Sequence, residues 1–381
     1  MRKPADGAAV APPLRGNLGS AIDRKRIAVV VGAGGTGKTT VAAALAVRAA
    51  RSGRKVVCLT IDPARRLADS LGVPAAEATE GLADITAGLG APLAEGGRLE
   101  FGMLDPAETF RGFVHRRAST PDQAKRILRN RLYRYLSGSL SGLQEYMALE
   151  KLCDISRGDD VELIVLDTPP TANAMDFFTA PRRMVAALDG ALVRWMRRAY
   201  DGPGRVGFDL LGRFAGRVLE AIGRVTGAEL LAEIIGFIDA LSDLFGSMAE
   251  RAAELDRVLA GGDVAFCLVT TPDRSTLRET LELRLRLLGM GLAVHGVVFN
   301  RAHRPRVPPP PGDADPRLAA LMEPLGREWN REHDREEELI ARVTRAWDEL
   351  EAVAVVPLLP GGACRVESLD RIGRFLEETP G

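Results

Sequence analysis

A single junction constrains this chain most. The apolar run Arg26-Ile-Ala-Val-Val-Val31 passes directly into Gly32-Ala-Gly-Gly-Thr-Gly-Lys-Thr39, and Ala and Leu then recur at helical spacing as far as Arg51. An apolar run without alternation reads as a strand buried on both faces, the kind found in parallel sheets covered by helices. Gly53 closes the helix. Lys55-Val-Val-Cys-Leu-Thr-Ile61 is a second buried strand. Strand, helix and strand make one βαβ unit with a right-handed crossover, and such a unit belongs in an open α/β sheet.

The same buried-strand pattern returns at Glu162–Leu166, Val264–Val269, Val294–Phe299 and Ala352–Val356, with helical stretches between. That alternation predicts a mostly parallel sheet flanked by helices on both faces. Residues 180–260 break the rhythm. Phe208, Leu211, Phe214, Val218, Ile222 and Val225 recur every three or four residues, as do Ile234, Phe237, Leu241, Leu244 and Met248, which predicts helices with wide apolar faces. The expected organisation is a flexible N-terminal tail at 1–24, an α/β domain made of 25–179 and 261–381, and a helical subdomain inserted at 180–260. The proline run at 305–312 is a stiff connection, followed by a highly charged, solvent-facing helix.

Composition narrows the function. Lys+Arg and Asp+Glu both number 51, so the formal net charge is zero, a poor balance for neutralising nucleic-acid phosphates. The four cysteines, at 58, 153, 267 and 364, are far apart and form no metal-spaced cluster. No apolar run approaches the roughly 18 residues of a membrane span, and the N-terminus lacks the apolar core of a secretion signal. The expected location is cytoplasmic, with neither nucleic acid nor a transmembrane segment involved.

The glycine-rich octapeptide fits G-x-x-x-x-G-K-[ST], the phosphate-binding loop of nucleotide hydrolases. Its strand–loop–helix setting makes the fold class an α/β P-loop NTPase with an inserted helical subdomain. Glycines let the backbone curl so that its N–H groups face phosphate oxygens, and the helix that follows adds its positive end. The expected nucleotide contacts are Gly34, Gly35, Thr36, Gly37, Lys38, Thr39 and Thr40. Lys38 reaches the β- and γ-phosphates, and the Thr39 hydroxyl coordinates Mg²⁺. Asp167 ends an apolar strand in the manner of a second Mg²⁺ ligand. Asp62 follows the second strand, at the sheet edge where ligands bind. It has two compatible readings, the group that activates the attacking water and a helix N-cap before Pro63. Asn300 ends the fifth strand with an amide that matches the edge of adenine. Pro357 and Leu358 are placed to cover the base. The cofactors are therefore ATP and Mg²⁺. The guanine-selecting N-K-x-D motif is missing, since Asn300 is followed by Arg301-Ala-His.

From about residue 26 onward the chain resembles the ArsA-type P-loop ATPases, which include the arsenite-pump ATPase and the targeting factor for tail-anchored membrane proteins. Asp62-Pro-Ala-Arg-Arg-Leu-Ala-Asp-Ser70 is similar to that family's switch I, and Asp167-Thr-Pro-Pro-Thr171 to its switch II. Asn300 and Pro357–Leu359 fall at its adenine-contacting places. The resemblance implies catalysis by Asp62, acting as general base, together with Lys38. It also implies a dimer with nucleotide near the interface, and a client or effector surface on the helical insertion. This chain departs from the family at three places. Arg65 stands where switch I normally has histidine, and no C-x-x-C or cysteine cluster supports zinc or arsenite. Ala33 replaces the lysine that in the family reaches across the dimer to the partner's phosphates.

Those departures leave two functions in play. One is an ATPase whose nucleotide cycle drives a dimer acting on a client protein or transport partner. The other is a weakly active ATP-binding regulatory subunit paired with a paralogous ATPase. A homodimer and a heterodimer are both open, and residues 180–260 are a closed core, a dimer interface or a client groove.

Overall fold

The computed structural model describes residues 16–61, 66–72, 82–118, 120–129, 143–158, 160–169, 171–188, 248, 250–313, 315–347, 349–359 and 365–378. Its strands are β1 (Ile27–Gly32), β2 (Lys55–Thr60), β3 (Leu82–Asp84), β4 (Arg98–Met103), β5 (Leu163–Asp167), β6 (Val264–Thr270), β7 (Val294–Ala302) and β8 (Ala352–Pro357). Its helices are α1 (Leu18–Asp23), α2 (Lys38–Arg51), α3 (Arg66–Leu71), α4 (Pro106–Arg117), α5 (Pro121–Arg129), α6 (Leu143–Ser156), α7 (Thr171–Leu188), α8 (Arg274–Gly289), α9 (Pro316–Ala346) and α10 (Val366–Glu377). The chain divides into two compact units. One comprises Met1–Met103, Asp159–Thr171 and Gly262–Gly381, and the other Leu104–Gly158 and Ala172–Gly261.

The first unit is built on one sheet of order β3-β4-β2-β5-β1-β6-β7-β8. Every neighbouring pair is parallel except β3 with β4. Six strands are those the apolar runs predict. The other two, β3 and β4, carry weaker signals. Arg98-Leu-Glu-Phe-Gly-Met103 buries Leu99 and Phe101 in alternation and leaves Arg98 exposed, too short a pattern to stand out among its flanking glycines. The central strand β1 has β5 on one side and β6 on the other, so the glycine-rich loop leaves the middle of the sheet at its carboxyl edge.

Helix α2 is packed almost all round, with Val41 to Val47, Ala49 and Ala50 buried. Small side chains permit this, as the close approach to Gly373 of α10 shows. Arg48 binds Asp23 and Glu377 at 2.8 and 2.7 Å, and Arg51 binds Asp370 at 2.6 Å. These pairs pin the far end of α2 to α1 and α10. The expected tail at 1–24 is corrected over its last part. Asn17 caps α1 by accepting from the Ser20 N–H at 2.7 Å, and Leu18, Ala21 and Ile22 are buried. Their i, i+3, i+4 spacing is a one-turn apolar stripe. Leu18 fills the space over Gly296, where a Cβ would lie 2.4 Å from its Cδ1.

The second unit is helical among its described residues. It takes in α4, α5 and α6, so it begins well before the expected boundary at 180, and residues 250–259 are helical too. Residues 189–247, which hold most of the apolar periodicity of the expected insertion, lie outside the described residues. Phe110, Phe113, Tyr146, Leu149, Leu152, Phe177, Phe178 and Leu255 are buried. Among them lies a charge network. The buried Arg251 meets Glu150 at 3.0 Å, Asp154 at 2.9 Å and Glu254 at 3.0 Å. Burial raises the Glu150 pKa against the opposing pull of Arg251. Removing Arg251 would leave the buried Glu150 with an uncompensated charge.

Candidate functional site

The loop between β1 and α2 is shaped by its glycines. A Cβ on Gly32 would lie 2.2 Å from the Val269 carbonyl oxygen of β6, so only glycine fits where the loop leaves the sheet. Gly35 and Gly37 have φ of 76° and 90°, the left-handed region glycine adopts without penalty. Gly37 is also pressed against Asn300, whose Nδ2 would be 2.2 Å from a Cβ there. Gly34 and Gly35 are exposed and face open space. The loop is tied across itself at one point, for the Thr36 hydroxyl and Lys38 Nζ both donate to the Ala33 carbonyl, at 3.0 and 2.8 Å. Gly37 caps α2 without a side-chain bond, which leaves the first-turn N–H groups available to an anion. Thr40 is half-buried in that first turn.

Next to the loop, β5 ends at Asp167, which is 1% exposed. The register sets it beside Val30 of β1 and Thr60 of β2. Thr39 Oγ1 donates to Asp167 Oδ2 at 2.8 Å, and Thr60 Oγ1 lies 3.4 Å from the same oxygen. Sequence reasoning pairs Thr39 with Asp167, and the structure brings them together across 128 residues of chain. It adds Thr60, which no motif marks. A hydroxyl and a carboxylate are hard oxygen donors and suit Mg²⁺, which is commonly held by one or two carboxylates together with waters and phosphates. Among the described residues no group of three or more His, Cys, Asp or Glu could hold a metal ion. Thr168 is fixed by donating its hydroxyl to the Val30 carbonyl at 2.8 Å. Asp62, expected two residues beyond Thr60, lies outside the described residues, as does Arg65.

Two strands away, at the ends of β7 and β8, the arrangement is looser. Asn300 is buried, and its amide serves the protein. Nδ2 donates to the Thr36 carbonyl at 2.8 Å, and Oδ1 accepts from the Arg301 N–H at 3.0 Å. It is placed as a brace between β7 and the loop. β7 is irregular between Asn300 and Ala302, and Arg301, with φ of 60°, is the one non-glycine residue with positive φ among those described. Pro357 pairs with Ala302, and the Leu358 N–H donates to the Ala302 carbonyl at 2.8 Å. Leu358 is 43% exposed.

Among the described residues the thiols take no part in this constellation. Cys58 and Cys267 are buried in β2 and β6, and burial pushes the Cys267 thiol up to about 12.

A model of the family described as anion-transporting ATPase matches residues 25–378. The chain belongs to that family. Among relatives of the anion-transporting ATPase type, it is 26% identical over 283 residues to the putative arsenical pump-driving ATPase 1 of Aquifex aeolicus, covering 72% of this chain and 63% of that relative. It is 23% identical over 296 residues to the ATPase get3 of Aspergillus terreus, covering 76% of this chain and 77% of the relative. It is 24% identical over 307 residues to the ATPase get3 of Pyrenophora tritici-repentis, covering 79% and 81%. Among the described residues no helix is long and apolar enough to cross a membrane.

Proposed function

We propose that this chain binds Mg·ATP at the loop between β1 and α2, hydrolyses it, and uses the nucleotide cycle to change the state of a cytoplasmic dimer that acts on a client protein or transport partner. The observation that carries the reading is the contact of Thr39 with Asp167 at 2.8 Å beside a loop of phosphate-binding shape. Bound Mg²⁺ supplies charge neutralisation at the phosphates, with Thr39 and Asp167 holding it. Lys38 contributes a positive charge to the β- and γ-phosphates. The backbone N–H groups of Gly34 to Thr40 orient the phosphate oxygens. Asp62 follows β2, whose end is aligned with Asp167, and takes a proton from the attacking water. Asn300, Pro357 and Leu358 contact the adenine. The relatives, an arsenical pump-driving ATPase and get3 ATPases, support work on a partner, and residues 180–260 are the surface proposed for it.

A second reading, a weakly active subunit that pairs with a paralogous ATPase, is favoured by Ala33. Its side chain is buried, at 2% exposure, and carries no charge toward a second active site. Charges contributed in trans are worth about 10³–10⁵ in rate in other P-loop enzymes. Steady-state ATPase on the purified chain, with and without Arg65→Ala and Arg66→Ala, separates the readings. Fast turnover that survives both changes removes the need for a trans charge. Calorimetry with Mg·ATP on wild type and Lys38→Ala tests the shared premise, and equal affinity in the two would reject the loop as the site.

A further inference from the structure

We propose that Arg301 is a specificity residue that stacks its guanidinium on the purine base of the nucleotide; this rests on the nucleotide site proposed above. Three observations carry it. Arg301 holds a left-handed backbone, φ 60°, a conformation glycine takes freely and an L side chain takes at a penalty. Such outliers persist where the surroundings over-determine them, and they cluster at ligand clamps. Here the surroundings are visible. The Arg301 N–H is held by Asn300 Oδ1, the Asn300 amide is tied to the loop, and Ala302 is tied to Leu358 of the neighbouring chain segment. The turn thus fixes the Arg301 backbone between the phosphate loop and the apolar Leu358.

The second observation is the state of the side chain. Arg301 is exposed, and among the described residues its bond is a backbone one, with no side-chain hydrogen bond or ion pair. The arginines that follow it are paired, Arg304 with Glu337 and Arg306 with Asp334. Those pairs attach the following segment to α9. Among the described residues here, Arg301 keeps an uncommitted guanidinium.

The third observation is distance across the sheet. β7 lies two strands from β1, about 10 Å at the usual 4.8 Å spacing. Phosphates belong over β1 and α2, so a residue at the end of β7 meets the other end of the nucleotide. A guanidinium is planar, weakly hydrated and stacks on aromatic faces. With Leu358 exposed nearby, the arrangement offers one apolar and one cationic contact to a flat ring.

The test uses the full chain, calorimetry with Mg·ADP, and competition by the Mg²⁺ complex of inorganic tripolyphosphate. Wild type binds Mg·ADP and Lys38→Ala binds it more weakly, by up to about 10²-fold; equal affinity in the two rejects the nucleotide site itself, independently of Arg301. Arg301→Gly should melt at a higher temperature, because the strain is relieved, yet bind Mg·ADP about 3–30-fold more weakly. Arg301→Ala should show the same loss, and Arg301→Lys a partial one. The inhibition constant of tripolyphosphate should be unchanged in all three. Unchanged Mg·ADP affinity in Arg301→Gly and Arg301→Ala would overturn the proposal, showing a turn residue only. Equal losses for Mg·ADP and tripolyphosphate would also overturn it, placing the guanidinium on phosphate.

Discussion

The two ends of the proposed nucleotide site are built differently. At the phosphate end, over β1 and β5, the polar groups are buried and mutually bonded. Asp167 and Thr36 are each 1% exposed, and Lys38 is 7% exposed. Most of the binding surface there is backbone, shaped by glycines that sterics permit at no other residue. At the base end, over β7 and β8, Leu358 and Arg301 are exposed, the strand is irregular, and one side chain, Asn300, ties this end to the other. A triphosphate is the same in every nucleotide, so a rigid backbone cradle serves all of them. A base must be told from other bases, which takes side chains with room to meet it. Substitutions at the phosphate end should therefore cost binding or rate for every nucleotide, and substitutions at the base end should cost discrimination.

The largest effect is expected at Asp62. Asp62→Asn should retain Mg·ATP affinity within a few-fold and lose about 10²–10⁴ in kcat, as for a lost general base. Stopped-time phosphate release together with calorimetry reads both quantities. Parallel loss of affinity and turnover would identify a helix cap instead. Lys38→Ala comes next. Removing a charge-assisted contact to phosphate should weaken Mg·ATP by about 10²-fold, with the same factor for Mg·GTP. A loss confined to one base would break the division between the two ends.

The difference between the ends also explains what was legible in the sequence. The phosphate end is written in short-range spacing, because one loop and one helix turn supply most of it. Gly32 to Thr39 could be read directly, and Asp167 was marked by the apolar strand before it. Six strands were legible for the same reason, since burial on both faces leaves continuous apolar runs. β4 was not, because over six positions it buries just two large apolar side chains, Leu99 and Phe101. Helix α1 was hidden by its length, six residues whose stripe has just three apolar members. Arg301 carried no signal at all. Its backbone conformation follows from a bulge between β7 and β8 and from a hydrogen bond to its own neighbour, and neither leaves a mark in composition or periodicity. Asn300 was legible as a strand-end amide, but its grip on the Thr36 carbonyl depends on the crossing of two segments 264 residues apart.

That grip makes Asn300 the place where the two ends are coupled. Asn300→Ala removes a neutral hydrogen bond to the loop, with a net worth of about 0.5–1.5 kcal/mol. It also opens space beside Gly37. The expected result is about 2–10-fold weaker binding of Mg·ATP, together with a smaller loss for tripolyphosphate. The tripolyphosphate loss reports the brace, and the excess for Mg·ATP reports any contact with the base. Equal losses for both ligands would mean that Asn300 only braces the loop.

The smallest effect is expected at Leu358, and it isolates the base end most cleanly. Its backbone N–H is committed to the Ala302 carbonyl, so a side-chain change leaves the turn in place. The side chain is 43% exposed, so truncation costs little in the free protein. A base lying against it would bury the remainder. Burial of each CH₂ is worth about 0.8 kcal/mol at most, and only part of the side chain is involved. Leu358→Ser should therefore leave the melting temperature nearly unchanged and weaken Mg·ATP by about 3-fold. Tripolyphosphate competition should not move. If the variant instead bound Mg·ATP as tightly as wild type, the base would have to lie elsewhere along the edge formed by β7 and β8. If tripolyphosphate weakened with it, the separation of a rigid phosphate cradle from an adaptable base end would fail at its least perturbing point.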